Sequence, residues 1–91
     1  MKVPKEIKGV LEKIEGKGYQ AYLVGGCVRD LLLGEKPKDW DIATDAKPEE
    51  IEKMFSKSFS NNNFGTVTVV TGSKDPSLKE IEITPYRIDE K

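Results

Sequence analysis

A chain of 91 residues makes one domain at most and buries little more than about 60% of its unfolded surface. Its 15 Lys and Arg against 16 Asp and Glu leave a net charge of −1, without the basic excess of a free-standing nucleic-acid binder, and the absence of His removes imidazole zinc sites and imidazole general bases. One cysteine excludes an internal disulfide and fits a reducing, cytoplasmic setting, while no apolar run reaches the ~18–20 residues that span a bilayer and Met1 to Glu6 lacks a signal-peptide core.

The first element is predicted as an amphipathic helix from Pro4 to Ile14, because Ile7, Val10, Leu11 and Ile14 repeat at helical spacing and Pro4 suits a first turn. Gly16 and Gly18 stop it. Tyr19 to Val24 reads as a strand of aromatic and branched residues, broken by Gly25-Gly26. A short helix from Val28 to Leu33 follows, closed by Gly34 and Pro37, and then a second strand from Trp40 to Thr44. Pro48 to Phe55 reads as a second amphipathic helix with Ile51, Met54 and Phe55 on one face and Thr44 or Asp45 as its cap. Phe59 to Asn63 reads as a polar connection, with an Asn61-Asn62-Asn63 turn. Thr66 to Thr71 and Lys79 to Thr84 read as two further strands around a Gly72 to Pro76 turn, and Arg87 to Lys91 as a charged tail. The last two strands are close enough for a hairpin. The expected fold is therefore α+β, with about four strands in a mixed or antiparallel sheet packed against helices.

Asp39-Trp40-Asp41 carries the strongest chemical signal. Strand alternation puts both carboxylates on one face with Cα atoms about 6.5 Å apart. Asp is depleted from strands, so the pair stands either in open water or around a cation. Glu82 is the natural third ligand, on the strand face opposite Ile81 and Ile83, if its strand lies beside the aspartates. Glu80 shares that face and competes with it. Three carboxylates give the hard oxygen shell that Mg²⁺ prefers. Gly25-Gly26, between strand and helix, is either an ordinary turn or a backbone anion site. Arg29 offers a phosphate-binding fork or a surface ion pair with Asp30 or Glu35. Gly65-Thr66 offers either close backbone approach and a hydroxyl or an ordinary turn glycine and strand threonine. Cys27 and Trp40 read as core, and the scattered lysines as solubilising.

Together these pieces resemble one family. Ala21-Tyr22-Leu23-Val24-Gly25-Gly26-Cys27-Val28-Arg29-Asp30-Leu31-Leu32-Leu33-Gly34 resembles the opening motif of the CCA-adding tRNA nucleotidyltransferases and bacterial poly(A) polymerases. Lys38-Asp39-Trp40-Asp41-Ile42-Ala43-Thr44-Asp45-Ala46 continues it, and Phe64-Gly65-Thr66-Val67-Thr68-Val69 and Glu82-Ile83-Thr84-Pro85-Tyr86-Arg87 resemble two later blocks. The resemblance implies a nucleotidyltransferase head of the DNA polymerase β type occupying residues 1–91, a partial one without the neck, body and tail domains of the family. It implies that Asp39, Asp41 and Glu82 are the catalytic, metal-holding carboxylates of a two-Mg²⁺ site and that Gly25, Gly26 and Arg29 bind the triphosphate of CTP or ATP. Asp30 would brace the loop or cap the helix. The reaction implied is transfer of a nucleoside monophosphate to the 3′ end of tRNA or another RNA. Lys47 stands where the family usually has a Thr or Ser cap, and Phe64 where it often has His. The alternative is a non-catalytic nucleotide-binding module or folding fragment of that family, dimerising through exposed strand edges.

Overall fold

The computed structural model describes residues 3–61 and 65–86. Within them the chain runs α1 (Lys5–Gly16), β1 (Ala21–Val24), α2 (Gly26–Leu32), β2 (Asp41–Thr44), α3 (Pro48–Met54), β3 (Ser58–Asn61), β4 (Thr66–Val70), a 3₁₀ turn (Pro76–Leu78) and β5 (Glu80–Pro85). The strands form one sheet in the order β1-β2-β5-β4-β3. The β2–β5 pair is parallel and the other three are antiparallel. The α+β class and the mixed sheet are as expected.

One expectation needs correction. Ser58–Asn61 is a fifth strand, where the sequence reads as a polar connection. It pairs with β4 from Ser58↔Val69 to Asn61↔Thr66. Edge position explains the misreading, because an edge strand meets a ladder on one side only and needs little apolar alternation. Asn62, Asn63 and Phe64, and the expected tail from Arg87 to Lys91, lie outside the described residues.

Alternation divides the sheet into two unlike faces. Ala21, Ile42, Thr44, Val67, Val69, Ile81 and Ile83 are buried on one of them. Ile7, Val10 and Ile14 of α1, Cys27 of α2, and Ile51 and Met54 of α3 join the same core cluster, so all three helices cover that face. The helical stripe of α1 falls where its periodicity places it. Thr44, fully buried, keeps its hydroxyl satisfied by accepting the Ala46 N–H at 3.2 Å. Asp45 accepts the Gln20 N–H at 2.9 Å. Neither residue caps α3, which starts on Pro48 with no side-chain cap.

The opposite face carries Tyr22 and Val24 of β1, Asp41 and Ala43 of β2, Glu82 and Thr84 of β5, and Thr66 and Thr68 of β4. No described helix covers it.

Candidate active site

The register decides what the open face brings together. Asp41 and Glu82, 41 positions apart in sequence, are direct partners in the parallel β2–β5 ladder. The Glu82 N–H donates to the Trp40 carbonyl at 3.2 Å, which locks that pairing just ahead of β2. Asp39 lies in the bend before the strand, one turn of alternation from Asp41. Asp39, Trp40, Asp41, Glu80 and Glu82 line one cleft of about 320 Å³. Trp40 is 2% exposed, so its ring is core, and the acids on either side of it face the cleft.

A second cleft, of about 230 Å³, adjoins the first through Asp39 and Asp41 and is completed by Gly26, Cys27, Arg29, Asp30 and Lys38. The glycines fit it for a steric reason. Gly25 has φ +80°, and a Cβ there would stand 3.2 Å from Asp41 Oδ2. A Cβ at Gly26 would meet the Arg29 guanidinium at 3.4 Å. The backbone therefore passes close to both the carboxylate and the cation. α2 begins at Gly26, two residues earlier than its expected start at Val28. Beneath it, the Cys27 thiol donates to the Val24 carbonyl at 3.1 Å, as a buried structural residue does.

Arg29 keeps a 3.5 Å ion pair with Asp30, yet its side chain is 73% exposed. A contact that long and that wet is weak, so the guanidinium stays available to a stronger anion. Lys38 is the residue that sequence reasoning missed. It passes among the scattered lysines as solubilising, and only the folding of the α2–β2 connection brings it to the same cleft as Arg29.

The acids crowd one another. Loss of surrounding water raises the Glu82 pKa, and the charge of Asp41, a hydrogen bond with Asp41, and the charges of Asp39 and Glu80 raise it further. Glu82 is still reached by solvent. Among the described residues, no group of three or more Asp, Glu, Cys or His side chains is arranged to hold a metal ion as it stands. Asp39, Asp41 and Glu82 share a cleft without converging on one point. Their chemistry nonetheless suits a hard divalent cation, since all the donors are oxygens and a cation would relieve the repulsion that raises Glu82. A larger cavity, about 470 Å³, lies behind Trp40 between Pro4, Leu31, Pro37 and Leu78; it is mostly apolar and holds none of the three acids.

The sequence profile of the Poly A polymerase head domain matches residues 21–91. The chain belongs to that family. The head domain is 58% identical over 48 residues to Poly(A) polymerase I of Haemophilus influenzae, covering 53% of this chain and 11% of that protein. It is 49% identical over 81 residues to a CCA-adding enzyme of Lactobacillus delbrueckii subsp. bulgaricus, covering 88% of this chain and 19% of that one. Its fold matches the CCA-adding enzyme of Bacillus stearothermophilus, solved in complex with CTP, with a TM-score of 0.78 and 43% identity over 92% of this chain and 20% of that one. The head domain thus spans between 11% and 20% of the length of these relatives. Among its described residues, no helix is long and apolar enough to cross a membrane.

Proposed function

We propose that this chain, residues 1–91, is the catalytic head of a cytoplasmic nucleotidyltransferase that moves a nucleoside monophosphate from CTP or ATP to the 3′ end of an RNA, tRNA above all. The observation that carries the reading is the pairing of Asp41 with Glu82 in the cleft that Asp39 also lines, beside the glycine and Arg29 cleft. Asp39, Asp41 and Glu82 would hold Mg²⁺ in a two-metal site. When bound, the two ions supply activation of the attacking hydroxyl and neutralisation of the leaving pyrophosphate. The chain's own part is placement. Gly25 and Gly26 let backbone amides approach the triphosphate, and Arg29 binds its oxygens as a planar fork. Asp30, repelled by phosphate, braces Arg29. A bound cation would also relieve the burial and crowding by Asp41, Asp39 and Glu80 that raise the Glu82 pKa. In the transfer, the acceptor 3′-oxygen bonds to the α-phosphorus, the bond from that phosphorus to the β-phosphate oxygen breaks, pyrophosphate leaves, and the hydroxyl proton passes to solvent.

Calorimetric titration of the chain with CTP in millimolar Mg²⁺ tests this. Saturable binding that disappears in Asp41→Asn supports it; binding that is equally tight without Mg²⁺ and in Asp41→Asn refutes it. Transfer by these 91 residues alone is expected to be slow, since they span no more than 20% of the length of these relatives. The outer strands β1 and β3 leave ladder groups open, and a homodimer through them belongs to the same reading. A monomeric sedimentation profile at high concentration removes that part.

A further inference from the structure

The open face of the sheet continues beyond the carboxylates, and its next rows differ sharply from theirs. The carboxylate row runs Val24, Asp41, Glu82, Thr68 across four strands. About 6.5 Å along the strands, the next row is Tyr22, Ala43 and Thr84, paired as Tyr22↔Ala43 and Ala43↔Thr84. Thr66 extends it, its hydroxyl 3.3 Å from that of Thr84. Tyr86 stands one row farther, with its hydroxyl donating to Gln20 Oε1 at 2.6 Å. The Tyr22 and Tyr86 rings are 6.4 Å apart at their centroids and tilted by 40°. The Tyr22 row carries no charge, Asp45 adjoins the Tyr86 row with its carboxylate accepting the Gln20 N–H at 2.9 Å, and both rings present much of their surface to solvent, at 53% and 45% exposed.

Reaction geometry gives this shelf a role. In phosphoryl transfer the attacking and leaving oxygens lie roughly in line across the phosphorus. The triphosphate cleft of Gly26 and Arg29 lies past the C-terminal end of β1, beyond Val24. The incoming hydroxyl must then approach from the other side of the carboxylate row, which is the side of Tyr22. We propose that Tyr22 and Tyr86 are the stacking platform for the 3′-terminal bases of the acceptor RNA, with the Thr84 and Thr66 hydroxyls beside its ribose. The inference rests on the nucleotidyl-transfer reading and adds the direction from which the acceptor enters. Aromatic rings suit the task because every base has a π-face, so a platform of this kind binds single strands without reading their sequence. A bare apolar surface would serve a protein partner, but this one combines two rings with amide and hydroxyl groups in the two rows that follow the carboxylates.

Titration of the chain, saturated with CTP and Mg²⁺, with a short single-stranded RNA ending in two cytidines tests the proposal by NMR. The tyrosine ring and Thr84 resonances should shift, and Tyr22→Ala and Tyr86→Ala should each weaken RNA binding about tenfold. Tyr22→Phe should restore it, and CTP affinity should stay within about twofold of the parent in all three variants, since neither ring lines the triphosphate cleft. RNA affinity unchanged in both alanine variants overturns the platform, as does a shift map that leaves the tyrosines untouched. Ring resonances that broaden with protein concentration alone assign the face to self-association and overturn it too. Failure of CTP to bind the parent chain refutes the nucleotidyl-transfer reading itself, and the platform falls with it.

Discussion

Every second residue of β2 and β5 belongs to a different problem. Ile42 and Ile83 are fully buried under the helices, whereas Asp41 and Glu82, their immediate neighbours, face a cleft and repel each other. The covered face holds the fold by apolar burial, and the open face gathers charge that the fold would do better without. Because period-two alternation keeps the two tasks on opposite faces, each can be disturbed with little effect on the other.

That separation can be broken most forcefully from the covered side. Ile83→Ala should cost about 2–5 kcal/mol, read from urea unfolding, because the cavity opens under packed helices. Glu82→Gln, one residue away, should leave stability within about 0.5 kcal/mol or raise it slightly while weakening Mg²⁺-dependent CTP binding. Equal losses from the two changes would mean that the faces are not independent.

Gly25 is where the faces meet, and Gly25→Ala should cost about 1–3 kcal/mol from its backbone alone, because φ +80° with ψ −153° is a conformation only glycine adopts readily. It should also displace the Asp41 carboxylate, so CTP affinity is expected to fall alongside stability, unlike in either neighbour.

Acid titration separates two carboxylates of opposite character. Glu82 has a raised native pKa against an unfolded value of 4.5. Below pH 4.5 it is protonated in both states; as pH rises from there through the raised native value, the unfolded chain ionises first and stability is lost. Asp75 behaves in reverse. The Lys36 ammonium at 2.9 Å, with the Ser77 hydroxyl and N–H, holds it down to about 2 from 3.8. Its stabilisation is present above 3.8 and fades as pH falls toward about 2. Urea unfolding across this range should show Glu82→Gln flattening the upper slope and Asp75→Asn the lower one.

Much of this was legible before folding was considered. The stripes of α1 and α3, the strands around Tyr22, Ile42, Val67 and Ile81, and the core position of Trp40 follow from periodicity. β3 did not, because Ser58, Ser60 and Asn61 carry no strand pattern and take their conformation from β4. The partnership of Asp41 with Glu82 was legible only as a condition on strand order, since a parallel pairing between distant segments leaves no local trace. Lys38 was hidden for the same reason. Its place beside Arg29 belongs to the path of a connection and not to any spacing.

The most direct test follows the backbone and carboxylate resonances of Asp39, Asp41 and Glu82 while Mg²⁺ is raised to millimolar concentration with CTP present. The proposed site predicts saturable shifts at all three residues, lost in Asp41→Ala. Resonances that do not respond, or that respond equally in Asp41→Ala, would contradict it.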